Sequence, residues 1–405
     1  MSKKEATYDN LLKYLPENYD GETYALITHF IQTQGSEAGN SYRQKIFEKY
    51  PEFDFNKLPT KNDFNQQNET PFVDHNNRFT FIDLFAGIGG FRMAMQNCGG
   101  QCVFTSEWDK SAKETYFRNY GEVPFGDITK DEIKDLIPEN FNILCAGFPC
   151  QPFSNAGLKR GIEDTRGTLF YEIAEILQDH HPEVVLLENV RGLISNDNGK
   201  TIQTILQTIT HLGYKCNIPQ EIIDNGPVNT LKAEAARMVL CAKDFGVPQN
   251  RPRIYIVLWR DTLNIEHFNY PNPTNEETHV RDILEQNVPE SFTISDRLWE
   301  GHQRRRINNA ANGKGFGYCS FTPDSPYTST ISRRYYKDGS EILIEQPDRN
   351  PRKLTPREAT NLQGYPHNFK IHQSHTEAYK QAGNSVAVPV VEHIANEIIN
   401  QFFGE

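Results

Sequence analysis

"FTFIDLFAGIGGFRMAMQNCG", Phe79–Gly99, starts as an apolar run, breaks into glycines and resumes with helical spacing. "FTFIDLFAG" reads as a strand and "GGFRMAMQNCG" as a helix, with Gly87, Gly89 and Gly90 at the junction. Glycine lets the backbone turn tightly there and come close to a ligand. The same alternation continues outward. "QCVFTSEW", "FNILCAG", "EVVLLENV" and "RIYIVLWR" are strand-like, while "DKSAKETYFRNY", "GTLFYEIAEILQDHH" and "NGKTIQTILQTITHLGY" are helix-like. Strand alternating with helix predicts an α/β fold, a parallel sheet covered on both faces. Before Phe79 stand helix-like patterns such as "ALITHFIQ" and "YRQKIFEKY", then the polar "NKLPTKNDFNQQNETPFVDHNNR", which reads as a linker. After Arg260 the alternation stops. Residues 261–352 are rich in Asn, Pro, Tyr and Arg, with short candidate strands at "YTSTIS" and "EILIEQ", and read as a smaller irregular domain.

The 405 residues leave room for two or three domains, and 37% hydrophobic residues with 25 Phe and 18 Tyr suffice for ordinary cores. Seven cysteines, an odd number without CxxC spacing, argue against a disulfide framework and a zinc site, so no metal is expected. The chain opens with no basic-then-apolar leader and holds no run near membrane-spanning length, so a cytoplasmic protein with no membrane partner is expected. The net charge of −11 is unevenly spread: Gly301–Arg357 is basic, with Arg304, Arg305, Arg306, Lys314, Arg333, Arg334 and Lys337 among its cations. Such a patch on an acidic protein forms either an anion-binding face or a merely solvated surface.

Ligands of open parallel sheets sit outside the carboxyl ends of the strands. In "DLFAGIGG" a dinucleotide fold would want a third glycine where Arg92 stands, so the turn is a poor pyrophosphate cradle. It suits a ligand with an amino-acid end, whose carboxylate can meet the helix N-terminus. At "TSEWD", Glu107 follows Gly87 by 20 residues, the spacing at which an acid bonds ribose hydroxyls, and Trp108 could stack on a base. "PFGDIT" brings Asp127 and Ile128, and "LLENV" brings Glu188 and Asn189. In "AGFPCQPFS", Pro149 ends the strand, so Cys145 falls inside it and Cys150 beyond it. Taken alone, Cys150 reads more readily as a second structural cysteine than as a reactive one.

"DLFAGIGG", "FPCQPFS", "ENV", "QNRPR" and "QAGNSV" follow one another in order across residues 78–400 and resemble the cytosine-C5 DNA methyltransferases, which use S-adenosylmethionine (SAM). The resemblance implies a Rossmann-like catalytic domain at 78–260, a target-recognition domain at 261–352, a return to the catalytic domain at 353–405 and a cleft for double-stranded DNA. It implies Cys150 as nucleophile, because cytosine C5 accepts a methyl group only after a thiolate has added at C6. Glu188 matches the acid that engages N3 and the exocyclic amine, and Arg251 and Arg253 match side chains near the flipped base and Cys150. Phe85, Gly87, Ile88, Gly89, Gly90, Glu107, Trp108, Asp127, Ile128, Pro149, Asn384 and Val386 match the SAM pocket. Since SAM has no phosphates, the third dinucleotide glycine is not needed.

For DNA contact the resemblance points to Ser154, to Thr330 and Ser332 of "TIS", and to Arg333 and Arg334, in a stretch similar to the recognition segments of enzymes whose sites have CC and GG flanks. Arginine bidentate to guanine is the commonest specific contact, and a phosphate contact is nearly as well founded for either arginine. Phe316 of "GKGFGY" could fill the space left by the flipped base. Two stretches depart from the family: residues 1–77, a helical extension to which no function is assigned, and the insertion around 219–238, left open between packing and DNA contact. The expectation is a monomeric restriction-modification enzyme, serving beside a cognate restriction endonuclease without a stable protein partner. Within the family, a tRNA cytosine-C5 methyltransferase is the alternative. An NAD-type oxidoreductase is disfavoured by Arg92 and by the Cys–Glu pair. An inactive DNA-binding relative is disfavoured because every catalytic position is filled.

Overall fold

In the computed structural model, residues 8–74, 78–149 and 169–404 are described; Cys150 and Ser154 lie outside them. The described residues fall into two compact units, one of those up to 239 with 253–270 and 394–404, the other of residues 240–252 and 271–393.

The first unit begins with three helices, α1 (Thr23–Gln32), α2 (Glu37–Lys49) and α3 (Lys61–Gln67). α1 is buried around nearly its whole circumference, as expected of a helix enclosed by the fold. The polar stretch read as a linker contains α3, capped by the Thr60 hydroxyl and anchored by the fully buried Phe64, so it belongs to the core.

The alternating part then runs β1 (Phe79–Leu84), α4 (Gly90–Asn97), β2 (Gly100–Ser106), α5 (Lys110–Tyr120), α6 (Asp131–Lys134), β3 (Ile143–Gly147), α7 (Leu169–His180), β4 (Val184–Val190), α8 (Lys200–His211) and β5 (Tyr214–Lys215). α9 (Gln220–Asn225), α10 (Val228–Ala236), β6 (Val239–Cys241) and β7 (Pro252–Arg260) follow. The sheet order is β2-β1-β3-β4-β7-β5, with β6 beside β7. β2, β1, β3 and β4 are parallel, as their apolar runs and crossover helices predict. β7 departs from that expectation. It runs antiparallel to both β4 and β5, returning between two strands that point the same way.

β2 ends the sheet, and the N-terminal helices occupy its outer edge. Tyr42 Oη donates to the Val103 carbonyl at 2.6 Å, His29 Nε2 accepts from the Thr105 amide at 3.2 Å, and the Phe125 amide donates to the Thr105 carbonyl at 2.8 Å. Backbone groups that would template another strand are thereby satisfied. His29 Nδ1 bonds the Ala25 carbonyl at 2.9 Å, and burial pushes the imidazole down to about 3, so it is neutral and able to accept.

The insertion packs rather than dangling: Ile223 of α9 and Leu231 and Ala235 of α10 are buried. α10 crowds the segment Arg191–Gly199, where a side chain on Gly199 (φ 96°) would strike Lys232 Cε at 2.6 Å.

The second unit holds α11 (Asp296–Ala311), β8 (Ser320–Phe321), β9 (Leu343–Gln346), β10 (Arg349–Lys353), α12 (Pro356–Asn361) and α13 (His375–Asn384); α14 (Val388–Ile398) runs from it into the first. "YTSTIS" forms no strand beyond one bridge, Gln249 to Thr328. Residues 353–393 group here instead of with the sheet unit. The cause is a separate core of Ile331, Tyr335, Ile344, Leu354, Leu362 and Tyr379, and a buried pair, Arg352 Nη1 to Glu358 Oε2 at 2.7 Å.

Candidate active site

The turn after β1 takes the left-handed conformation at Phe85 (φ 57°), Gly87 (φ 56°) and Gly89 (φ 82°). For Phe85 that conformation is costly, and such strain gathers at ligand sites. Gly89 is required: a Cβ there would lie 2.4 Å from Tyr120 Cε2, whose hydroxyl donates to the Gly89 carbonyl at 2.8 Å. Ile88 and Ile128 are buried, so their side chains pack and only their backbone is available to a ligand.

Glu107 spans from the end of β2 to this turn. Its Oε2 accepts from the Gly87 amide and its Oε1 from the Asp109 amide, both at 2.8 Å. Burial, with 8% exposed, pushes the carboxyl above the usual range, and the two amides oppose that shift. Trp108 beside it is 81% exposed. A glycine-rich turn, a carboxylate fixed by two amides and an open aromatic face fit SAM: room for the methionine end, an acceptor for ribose and a surface for adenine. Asp127 is half-buried, its Oδ1 accepting from the Thr129 amide at 3.1 Å. Glu22, from the extension given no function, accepts from the adjacent Gly126 amide at 2.9 Å. Nothing in the local sequence around Glu22 announces that role, since the contact crosses 104 residues.

β3 and β4 assemble the second half of the site. Gly147 pairs with Glu188, and Asn189 Nδ2 donates to the Phe148 carbonyl at 2.8 Å. This fastens the strand end that leads into exposed Pro149 and then Cys150. On β7, Arg253 Nε sits 3.1 Å from Glu188 Oε1, both side chains largely shielded from solvent. Cys145 is fully buried, and burial drives its thiol well above the usual range, so it is inert.

Arg251 departs from expectation. It is 3% exposed, and its guanidinium donates to the carbonyls of Ile331 (3.1 Å), Gly383 (3.1 Å) and Ser385 (2.7 Å) within the second unit. Those bonds make it a brace of the "TIS" and "GNSV" segments. Thr330 donates to the Asn250 carbonyl at 2.7 Å, and the Ser332 hydroxyl donates to Glu341, so both hydroxyl protons are engaged inside the unit. Asn384 is exposed and Val386 buried; Phe316, Arg333 and Arg334 face solvent. Among the described residues no group of three or more His, Cys, Asp or Glu could hold a metal ion, and no helix is long and apolar enough to cross a membrane.

A parallel-rich sheet carrying a SAM-compatible turn and a carboxylate–guanidinium pair at adjacent strand ends defines a Rossmann-like SAM-dependent methyltransferase. The chain belongs to the C-5 cytosine-specific DNA methylase family, whose model matches residues 79–400. It is 53% identical to the type II methyltransferase M.SsoII of Shigella sonnei over 330 residues, 81% of this chain and 82% of that protein. It is 51% identical to M1.ScrFI of Lactococcus lactis subsp. cremoris, covering 80% and 78%, and 38% identical to M.HhaI of Haemophilus parahaemolyticus, covering 78% and 93%. In fold it is similar to the Entamoeba histolytica methyltransferase EhMeth, with TM-score 0.59, 19% identity, and 80% of this chain and 99% of that one covered. The protein is therefore a SAM-dependent DNA cytosine-C5 methyltransferase.

Proposed function

We propose that this enzyme methylates one cytosine in a short duplex site with CC/GG flanks and, as a cytoplasmic monomer, protects its host's DNA from a cognate restriction endonuclease. The relatives named above as type II methyltransferases support the restriction-modification role. For the chemistry, the supporting observation is the Glu188–Arg253 pair beside the strand that runs into Cys150. Cys150, outside the described residues, supplies the thiolate that adds to C6 of the extruded cytosine. Glu188 stabilises charge at N3 as the thiolate adds, and Arg253 holds the Glu188 carboxylate in place. Bound SAM supplies the electrophilic methyl group. Glu107 orients the cofactor through its ribose and Trp108 through its base. Asp127 and the Phe85–Gly90 turn complete that pocket.

Arg333 or Arg334 reads a guanine of the flank, with Thr330, Ser332 and Ser154 holding backbone and Phe316 filling the gap left by the flipped base. Expressing the protein in an unmethylated host and sequencing the converted DNA tests the whole reading. A single methylated motif with CC/GG flanks is expected; no methylated cytosine, or modification of tRNA alone in parallel transfer assays, would overturn it.

A further inference from the structure

Residues 121–127 form a strap between α5 and α6, with no helix or strand beyond the Ser106–Phe125 bridge, and end on Asp127 of the SAM pocket. What holds such a segment is read from where its backbone bonds go. Phe125 is spent on β2: its amide donates to the Thr105 carbonyl at 2.8 Å, and its carbonyl accepts from the Glu107 amide at 2.9 Å. That pairing sets the strap beside the acid assigned to the ribose. The flanking backbone groups bond instead to the first helix of the N-terminal extension and its N-cap residue. The Gly121 carbonyl accepts from Gln32 Nε2 at 3.1 Å, and the Val123 amide donates to Thr28 Oγ1 at 3.0 Å. The Gly126 amide donates to Glu22 Oε2 at 2.9 Å. His29 of the same helix stacks on the Phe125 ring, with centroids 4.3 Å apart.

The contact at Glu22 differs in kind from the other two. Gln32 and Thr28 are buried and tie the strap into the core. Glu22 is half-buried at the start of α1 and acts on the residue immediately before Asp127. Its fit is close: a Cβ on Gly126 would lie 2.5 Å from Glu22 Oε1, so glycine is what lets the carboxylate rest against the backbone. An amide bonded to a charged acceptor is also held more firmly than one bonded to a neutral group. Glu22 lies within electrostatic reach of the pocket as well. Burial pushes the Lys113 ammonium of α5 below its usual range, and the carboxylates of Glu22 and Glu107 oppose that shift. One cation thus feels the extension's acid and the ribose acid together.

We infer that Glu22 is a positioning residue for SAM: through the Gly126 amide it sets the strap that presents Asp127 beside Glu107. The inference rests on the SAM pocket described above and assigns part of its construction to the extension. Glu22 acts through the backbone and not on the cofactor itself. It holds in place a segment that would otherwise be ordered only as SAM binds, at a cost to affinity.

The test is calorimetric SAM binding by full-length wild type, Glu22→Ala, Glu22→Gln, Tyr42→Phe and Glu107→Ala. Glu22→Ala removes the acceptor and should weaken SAM binding about 10-fold, the scale of one hydrogen bond. Glu22→Gln keeps an oxygen for the Gly126 amide and should return affinity to within about 3-fold of wild type. The loss should raise KM for SAM and spare kcat. It should be equal for S-adenosylhomocysteine, which carries the same ribose. Tyr42→Phe is the control for stability, because it removes only a hydroxyl bonded to the Val103 carbonyl. It should lower the melting temperature and leave SAM affinity unchanged. Wild-type affinity in Glu22→Ala would overturn the assignment. Equal losses in Glu22→Ala and Tyr42→Phe would overturn it too, by reducing the extension to general support. So would a Glu22→Gln variant as weak as Glu22→Ala, since the acceptor would then not be what matters. Unchanged affinity in Glu107→Ala would instead sink the underlying pocket reading, and is seen independently of Glu22.

Discussion

Arg253 and Glu188 meet diagonally across the antiparallel β4–β7 ladder: Val190 faces Arg253, Glu188 faces Tyr255, and Arg253 Nε reaches Glu188 Oε1 at 3.1 Å. The guanidinium fixes the direction of the carboxylate, which is what a group that must meet a base edge requires. Asn189 then secures the neighbouring strand end through the Phe148 carbonyl, so Glu188 and the strand end that leads towards Cys150 are held by adjacent residues.

Glu188→Gln should keep the fold and most SAM affinity yet lose at least about 100-fold in methyl transfer, the lower range for an acid–base group. Glu107→Ala should instead weaken SAM binding, by about 10-fold or more, since hydrogen bonds to a charged group contribute about 1.5–3 kcal/mol. Calorimetry and single-turnover rates on both variants check this. Exchanged phenotypes would mean that the two strand ends have been given each other's roles.

Cys150→Ser should abolish turnover while SAM binding survives, because a hydroxyl near neutral pH is a far poorer nucleophile than a thiolate. Wild type incubated with a 5-fluorocytosine duplex and SAM should form a covalent adduct. Peptide mapping should place it on Cys150; an adduct on Cys145, which is buried in β3, would refute the assignment.

Tyr42→Phe removes the donor that satisfies Val103 on the open edge of β2 and should cost about 1–2 kcal/mol in chemical unfolding. Deleting residues 1–74 strips the Tyr42 and His29 contacts from that edge and also removes the Glu22 carboxylate from Gly126. The truncated chain should associate through β2, visible as higher-order species in light scattering. A monodisperse truncated protein with normal SAM affinity would show that the extension is dispensable.

Asp83 lies fully buried in β1, and burial pushes its carboxyl up to about 8 against the opposing pull of Arg92. In the unfolded chain the same group titrates near ~3.9. Between those values the folded state holds a proton that the unfolded state has released, so this contribution is complete below pH ~4 and is lost as pH rises towards the folded value. Asp83→Asn keeps the shape and removes the titration. Its melting temperature relative to wild type should therefore climb from pH 5 to 8 and level off above; a constant difference would contradict the buried neutral acid.

Much of this was legible in the chain because the signals are local. An apolar run ending in Gly87, Gly89 and Gly90 can hardly be other than a strand, a tight turn and a helix, and "FPC" and "ENV" fall at strand ends, where their order among the other motifs, not the residues taken alone, carried the resemblance. What only the tertiary structure decided are contacts between residues far apart in sequence. Arg251 and Arg253 are identical side chains two positions apart in "QNRPR". One is spent on carbonyls at residues 331, 383 and 385, the other on Glu188. Residue type could not separate them, because an arginine's role is set by which acceptors the fold brings within reach. The extension offered only polar and helix-like patterns, yet Tyr42, His29 and Glu22 close a sheet edge and brace a loop beside Asp127. That role depends on β2 being the terminal strand, and strand order is a property of how the whole sheet assembles, not of any stretch within it.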